Sequence, residues 1–393
     1  MAIQSFQPQA RTLMGPGPSD VPPRVLEALG RPTLGHLDPQ FIGMMDELKQ
    51  LISYAFDTKN QLTMPVSAPG SAGMEACFAN LLQPGDTVLV CVNGVFGTRM
   101  IENVQRCGAK AIRVDDEWGR AVDPDKVREA LAAHPEVSVL AFVHAETSTG
   151  ALSDAETLCR IAREHDCLVI VDAVTSLAGV PLHVDAWGID AIYSGTQKCL
   201  SCTPGLSPVS FSERAAERIR NRQTPVQSWF LDMNLVMGYW GEGAKRAYHH
   251  TAPVNALYGL HESLVALQEE GLEQSWARHR AMHNALAAGL NAMGIQYVVP
   301  EAERLPQLNS VWIPEGLDDA EVRAELLSRF SLEIGAGLGD FAGKVWRIGL
   351  MGYAARAENV RLCLTALETL MVEKGLCEKG VALAAAEPLL VQA

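Results

Sequence analysis

Nowhere does this chain contain an apolar run of the ~18 residues that a bilayer-spanning helix needs, so a membrane-embedded role is not expected. Also missing is any block of positive charge. The formal net charge is −14, and 32 basic residues are scattered among 46 acidic ones. Such a chain is a poor partner for nucleic acid or anionic lipid. The nine cysteines are odd in number and widely spread, which does not make a disulfide framework. The opening Met1-Ala2-Ile3-Gln4-Ser5 lacks the features of a secretory signal, and the closing Leu-Leu-Val-Gln-Ala is no peroxisomal address. A reducing cytoplasm is the expected compartment. Neither Gly-x-Gly-x-x-Gly nor the Walker pattern occurs, which weakens dinucleotide and nucleoside-triphosphate readings. There is no internal repeat, and compositional bias is confined to the Ala-rich stretch Ala382–Glu387.

What remains is the balance of a folded protein, 48% hydrophobic and 20% charged. At 393 residues it exceeds the ~250–300 at which a single core stops growing, so two domains are expected. Strand patterns fall at Leu62–Ser67, Thr87–Asn93, Ala111–Val114, Val137–Val143, Leu168–Val174, Ala191–Tyr193 and Leu206–Phe211. Helical periods at Gly73–Leu82, Thr98–Cys107, Pro124–His134 and Ala155–His165 separate many of them. Near-continuous apolar strands such as Leu168-Val169-Ile170-Val171 are buried on both faces, the habit of parallel sheets under helices. The last strands have little helix between them, so part of the sheet is expected to be mixed. After Thr251 the texture changes. Helical periods at Val254–Glu270 and Leu272–Met293 precede strands at Ser310–Ile313, Leu332–Ala336 and Trp346–Leu350. Helices at Asp319–Arg329 and Glu358–Lys374 and a weakly patterned tail complete a smaller α+β unit.

The sharpest chemical feature is Ser194-Gly195-Thr196-Gln197-Lys198, directly after the strand Ala191-Ile192-Tyr193. A lysine held at a sheet edge is partly desolvated, which lowers its pKa toward the neutral amine that Schiff-base chemistry needs. Taken alone, it reads as an ordinary surface lysine; its company turns the reading. Upstream, Asp172 ends the most apolar strand, on the side where open α/β sheets bind ligands. A carboxylate there can keep a pyridine nitrogen protonated; the plainer reading is a loop cap. Pro69-Gly70-Ser71-Ala72-Gly73 lies between a strand and a helix, a ready anion site or a packing turn. Phe96 follows another strand and reads as a cofactor-facing ring or as core.

Six segments occur in order: Met14-Gly15-Pro16-Gly17-Pro18-Ser19, His144-Ala145-Glu146-Thr147-Ser148-Thr149-Gly150, Val171-Asp172-Ala173, Ser194-Gly195-Thr196-Gln197-Lys198, Tyr248-His249-His250-Thr251 and Val345-Trp346-Arg347-Ile348-Gly349-Leu350. Together they resemble the alanine–glyoxylate / serine–pyruvate aminotransferases, class V enzymes of fold type I that use pyridoxal 5'-phosphate (PLP). The resemblance runs from about Leu13 to Leu370. It implies that Lys198 is the Schiff-base lysine and that Asp172 pairs with the pyridinium nitrogen. Phe96 would stack on the ring, and Thr147 would approach its phenolic oxygen. Gly70, Ser71 and Gln197 would hold the phosphate, joined by Tyr248 and Thr251 from the partner subunit of a homodimer. Arg347 would grip the substrate carboxylate as a two-pronged fork, with Gly15 and Gly17 closing the substrate side. Relatives often carry Ser-Gly-His where this chain has Pro69-Gly70-Ser71, and proline has no N–H to give. Leu34-Gly35-His36-Leu37-Asp38-Pro39 also resembles the ureidoglycine–glyoxylate aminotransferases.

Rival readings are weaker. His144-Ala145-Glu146 and Cys199-Leu200-Ser201-Cys202 superficially echo a zinc-deaminase signature, but Lys198 stands where the proline belongs and no further ligand pair is spaced to help. Adjacent His249 and His250 would face opposite sides of a strand, so no metal is expected. A binding module leaves Lys198, Asp172 and Arg347 unrelated. A desulfurase needs a catalytic cysteine in a mobile loop, whereas Cys363 lies in a helical period. The expected architecture is an α/β fold-type-I transferase. Its large PLP-binding domain would span residues 20–255, with a mostly parallel seven-stranded sheet between helices. A smaller α+β domain would span 256–393, with segment 1–19 packing near it.

Overall fold

The computed structural model describes residues 3–241 and 246–391. Its strands in chain order are β1 (Thr12–Met14), β2 (Leu62–Val66), β3 (Thr87–Val92), β4 (Lys110–Asp115), β5 (Val139–Val143), β6 (Ala145–Glu146), β7 (Ala151–Leu152), β8 (Leu168–Asp172), β9 (Ala191–Tyr193), β10 (Ser207–Phe211), β11 (Leu308–Trp312), β12 (Leu332–Ala336) and β13 (Val345–Gly349). Seven of them form one sheet in the order β2-β10-β9-β8-β5-β3-β4. Its neighbours pair in parallel from β4 across to β9, whereas β10 runs antiparallel to both β9 and β2. The mixed character expected at the end of the sheet therefore comes from one reversed strand. β2, β3, β5, β8, β9 and β10 are buried along their whole length, as a sheet covered on both faces requires.

A second sheet, β1-β12-β13-β11, carries its own apolar cluster, with Trp346, Ile348, Leu286, Leu364 and Leu367 among the buried residues. β1 from the N-terminal segment pairs in parallel with β12, so the two ends of the chain share this sheet. The long helices Val254–Glu270 and Leu272–Ala292 meet at Gly271; Leu257, Leu260 and Leu264 of the first join the larger cluster, and Met282, Leu286 and Leu290 of the second join the smaller.

Some elements depart from the periodicity. The Ala-rich tail is a helix, Val381–Leu390, with Ala382 and Ala386 fully buried; its small side chains let it lie close against Gly289, whose added Cβ would come within 3.1 Å of the Ala382 carbonyl. The helix Gly70–Leu81 starts three residues earlier than its apolar period, because Gly70 and Ser71 already lie in the first turn. The helix Pro39–Phe56 was not anticipated, although Asp38 caps it and Pro39 opens it. No described helix is long and apolar enough to cross a membrane.

Candidate active site

Five chain segments leave the C-terminal ends of β2, β3, β5, β8 and β9 and converge on one pocket of about 650 Å³. That edge is where ligands bind in open α/β sheets. After β2, Pro69 caps the helix Gly70–Leu81. The first N–H groups of a helix lack intrahelical partners, and Pro69, Gly70 and Ser71 line the pocket. Pro69 is the cap residue, so the N–H it lacks lies outside the first turn. After β3, the helix Val95–Arg106 presents Phe96, half-buried, and Arg99 one turn on. The Arg99 guanidinium carbon lies 5.0 Å from the Phe96 ring centroid, and its Nη1 is 3.5 Å from Ser71 Oγ.

After β5 the chain turns through β6, with Glu146 wholly buried and Thr147 lining the pocket. Glu146 accepts hydrogen bonds from Ser148 N (3.0 Å), Ser148 Oγ (2.6 Å) and Phe96 N (3.1 Å), which ties this turn to the start of the Phe96 helix. Burial nevertheless pushes its carboxyl up to about 7. Asp172 ends β8 with both carboxylate oxygens engaged: Val174 N donates to Oδ1 at 2.8 Å and the Tyr193 hydroxyl to Oδ2 at 2.8 Å. Burial raises this carboxyl to about 6, against the pull of those bonds and of the Lys198 charge.

Lys198 follows β9 through the turn Ser194–Gln197. It is 9% exposed, and burial lowers its ammonium to about 8, a fall to which the neighbouring Arg347 charge adds. Its Nζ donates to the Pro16 carbonyl. The N-terminal segment covers it so closely that a Cβ on Gly17, where φ is +106°, would lie 2.6 Å from Nζ. Arg347 enters from β13 of the other sheet, 8% exposed, with Nε donating to the Ala336 carbonyl (2.7 Å) and Nη1 to that of Thr147 (3.1 Å). Among the described residues it forms no ion pair, and the opposing charge that acts on it is the carboxylate of Glu146, too weak to offset its burial. Burying a cation without an anion is costly.

The structure thus brings together Gly70, Ser71, Phe96, Thr147, Asp172, Gln197 and Lys198, with Gly17 against the lysine. It does not bring in Tyr248 or Thr251, which are exposed and outside this pocket. Gly15 packs against β12 and β13 instead of lining it, since a Cβ on Gly349 would meet the Gly15 carbonyl. Sequence reasoning passed over Arg99, Tyr193 and Glu146. The first had a usable signal: three residues after Phe96 on a helix is the same face.

A buried lysine and aspartate at one sheet edge, with a buried arginine reaching in from the other sheet, make a site suited to a cofactor with an acid-seeking ring and a carboxylate substrate. The chain belongs to the class-V aminotransferases, whose family model matches residues 12–358. It is 42% identical over 359 residues to the alanine–glyoxylate aminotransferase of Callithrix jacchus, covering 91% of this chain and 86% of that one. The crystal structure of the alanine–glyoxylate aminotransferase from Nostoc sp. superposes with a TM-score of 0.92 at 44% identity, over 94% of this chain and 98% of that. The ureidoglycine–glyoxylate aminotransferase of Bacillus subtilis superposes at 0.95 and 38% identity, over 98% and 99%.

PLP is the cofactor of this enzyme class, and the residues present fit it. The raised carboxyl of Asp172 is the state expected of a buried acid whose nearby cations, Lys198 and Arg99, do not offset its burial, and a protonated ring nitrogen opposite would favour the anion again. The Gln197 Oε1, buried and without a hydrogen-bond partner, marks a polar wall at the same pocket.

Proposed function

We propose that this aminotransferase moves the amino group of a small amino acid, alanine or serine, to glyoxylate or pyruvate, with donor and acceptor using one site in turn. The observation that carries the reading is that Arg347, buried and bonded to the carbonyl of Thr147, brings a guanidinium to the pocket that Thr147 and Lys198 line. When bound, PLP supplies an aldehyde carbon that takes up the amino group and a ring that withdraws electrons. Lys198 is the lysine that would hold it, and its amine, lowered by burial, is the base placed to move a proton at the substrate Cα. Asp172 would face the ring nitrogen, Phe96 would stack on the ring, Thr147 would approach its phenolic oxygen, and Gly70, Ser71 and Gln197 would hold the phosphate. Three of the five Arg347 N–H groups remain after its two carbonyl bonds, enough to fork onto a carboxylate. Gly15 and Gly17 belong to the turn that closes this side.

The working unit is a homodimer with shared sites, in which Tyr248 and Thr251 reach the neighbour's phosphate. Their exposure and their distance from their own chain's pocket support this. We place the division into large and small domains near residue 255, with segment 1–19 joining the small one, as the β1–β12 pairing and the two apolar clusters suggest. The nine cysteines are unpaired, which suits the cytoplasm. Ureidoglycine is the second donor candidate, favoured by the Bacillus subtilis neighbour. A donor panel against glyoxylate tests the reading: alanine or serine should lead in kcat/KM. A preference for ureidoglycine replaces it with the second, and failure of all these donors overturns both.

A further inference from the structure

Asp172 and Tyr193 are register partners at the ends of adjacent parallel strands, β8 and β9. Side chains at matched positions of neighbouring strands leave the sheet on the same face, and here the phenol meets the carboxylate at 2.8 Å. Tyr193 is completely buried and lines the cofactor pocket beside Asp172 and Lys198. Its hydroxyl has no role in the chemistry described above. A buried tyrosine hydroxyl needs a partner, but any backbone carbonyl would serve. This one donates to the single carboxylate on which the electron-withdrawing power of the cofactor depends.

We propose that Tyr193 is a positioning residue, whose phenol keeps the Asp172 carboxylate ionised and fixed in the plane that faces the cofactor ring. The inference rests on the reading of Asp172 as the partner of the ring nitrogen. Two donors, Val174 N on Oδ1 and Tyr193 on Oδ2, pin the carboxylate at both oxygens and leave each a further lone pair for the pocket. Such a bond is charge-assisted and gains strength in a dry site. The charges around Asp172 do not make the phenol redundant. Lys198 and Arg99 favour the anion, Glu146 opposes it, and burial outweighs all other influences. The Cys77 thiol also lies within the field of Asp172, wholly buried and pushed well above its usual range, so it adds no charge. Without the phenol, Asp172 would keep one backbone N–H and the charges of Lys198 and Arg99 against complete burial. The acid form would gain.

Tyr193→Phe removes one oxygen and keeps the ring that packs beneath the site. Three measurements on the full-length protein separate the possibilities. In apoenzyme at neutral pH, infrared difference spectra should show in Tyr193→Phe a protonated carboxyl additional to any wild type carries, and it should disappear in Tyr193→Phe/Asp172→Asn. In reconstitution with PLP, followed by absorbance, Tyr193→Phe should bind about tenfold more weakly, the effect expected of one hydrogen bond to a charged group. In the Asp172→Asn background, Tyr193→Phe should change affinity less than about twofold, since its route of action is gone. A merely structural tyrosine would lower the melting temperature alike in both backgrounds and leave the carboxyl and PLP affinity untouched, which overturns the proposal. If instead Asp172→Asn itself leaves PLP affinity and the visible band unchanged, it is the reading of Asp172 that fails. The infrared result still judges the link between Tyr193 and Asp172 in that event, and it does so even if a variant binds PLP too poorly to titrate.

Discussion

Replacing Arg347 with lysine isolates what the guanidinium contributes beyond charge. In the structure Arg347 spends Nε on the Ala336 carbonyl and one N–H of Nη1 on the Thr147 carbonyl, and both contacts aim the remaining edge of the group. A lysine at this position carries one ammonium and cannot hold both carbonyls while presenting two parallel donors. The Thr147 carbonyl, whose residue also lines the pocket, is then left without its donor. A charge-assisted hydrogen bond is worth ~1.5–3 kcal/mol, and each ~1.4 kcal/mol is a decade in rate. Arg347→Lys should therefore lose roughly ten- to a hundredfold in kcat/KM. The loss should be of similar size for amino donor and oxo acid if, as proposed, one carboxylate receptor serves both halves of the reaction. Cofactor absorbance should stay within a few per cent of wild type per site, roughly what a bound, undisturbed PLP gives if the fold is unaffected. Steady-state kinetics varied in each substrate, with a melting curve and a spectrum of the same preparation, make the assay. The reasoning is refuted if the variant melts early or sheds PLP while the surviving holoenzyme handles both substrates with wild-type constants.

Three further outcomes follow from the geometry. Because burial lowers the Lys198 ammonium to about 8 from an ordinary 10.5, the neutral amine grows in through pH 8, and the rate of PLP uptake by apoenzyme should rise with a midpoint there; a midpoint near 10 contradicts the desolvated lysine. Gly17→Ala would set a methyl 2.6 Å from the Lys198 amine on a backbone with φ of +106°, so turnover should fall at least tenfold, and unchanged kinetics would mean that the turn moves freely. Tyr248→Phe and Thr251→Ala should weaken PLP binding about threefold or more even though neither lines its own chain's pocket, with light scattering reporting a dimer; unaltered affinity, or a fully active monomer, rules out the shared site.

Much of the layout was legible because the sheet is buried on both faces. Runs such as Leu168–Val171 and Val139–Val143 announce covered parallel strands, and the residues that follow them announce where a ligand sits. Lys198 and Asp172 were singled out on that logic, and the family resemblance supplied their expected roles. What stayed hidden depends on neighbours far apart in sequence. The Asp172–Tyr193 bond needs the β8–β9 register, and the seat of Arg347 needs the β12 and Thr147 carbonyls, which no local pattern reveals. The tail was misread for another reason: small residues give little apolar contrast, yet Ala382 and Ala386 are buried where two helices approach closely. Helix Pro39–Phe56 is different again. Its cap and its buried Phe41, Met45, Leu48 and Ile52 carry a plain helical period that went unread beside a segment taken for a recognition motif.

The central claim is that Lys198 holds the cofactor, and the direct test is chemical. Holoenzyme reduced with borohydride, digested and mapped by mass spectrometry should carry the pyridoxyl group on the peptide containing Lys198, with loss of the visible band and of activity in step. Lys198→Ala should fold, give no such adduct and fail to turn over. A pyridoxyl group on a different lysine of the active enzyme, or multiple turnover at the wild-type rate by Lys198→Ala, would contradict the account.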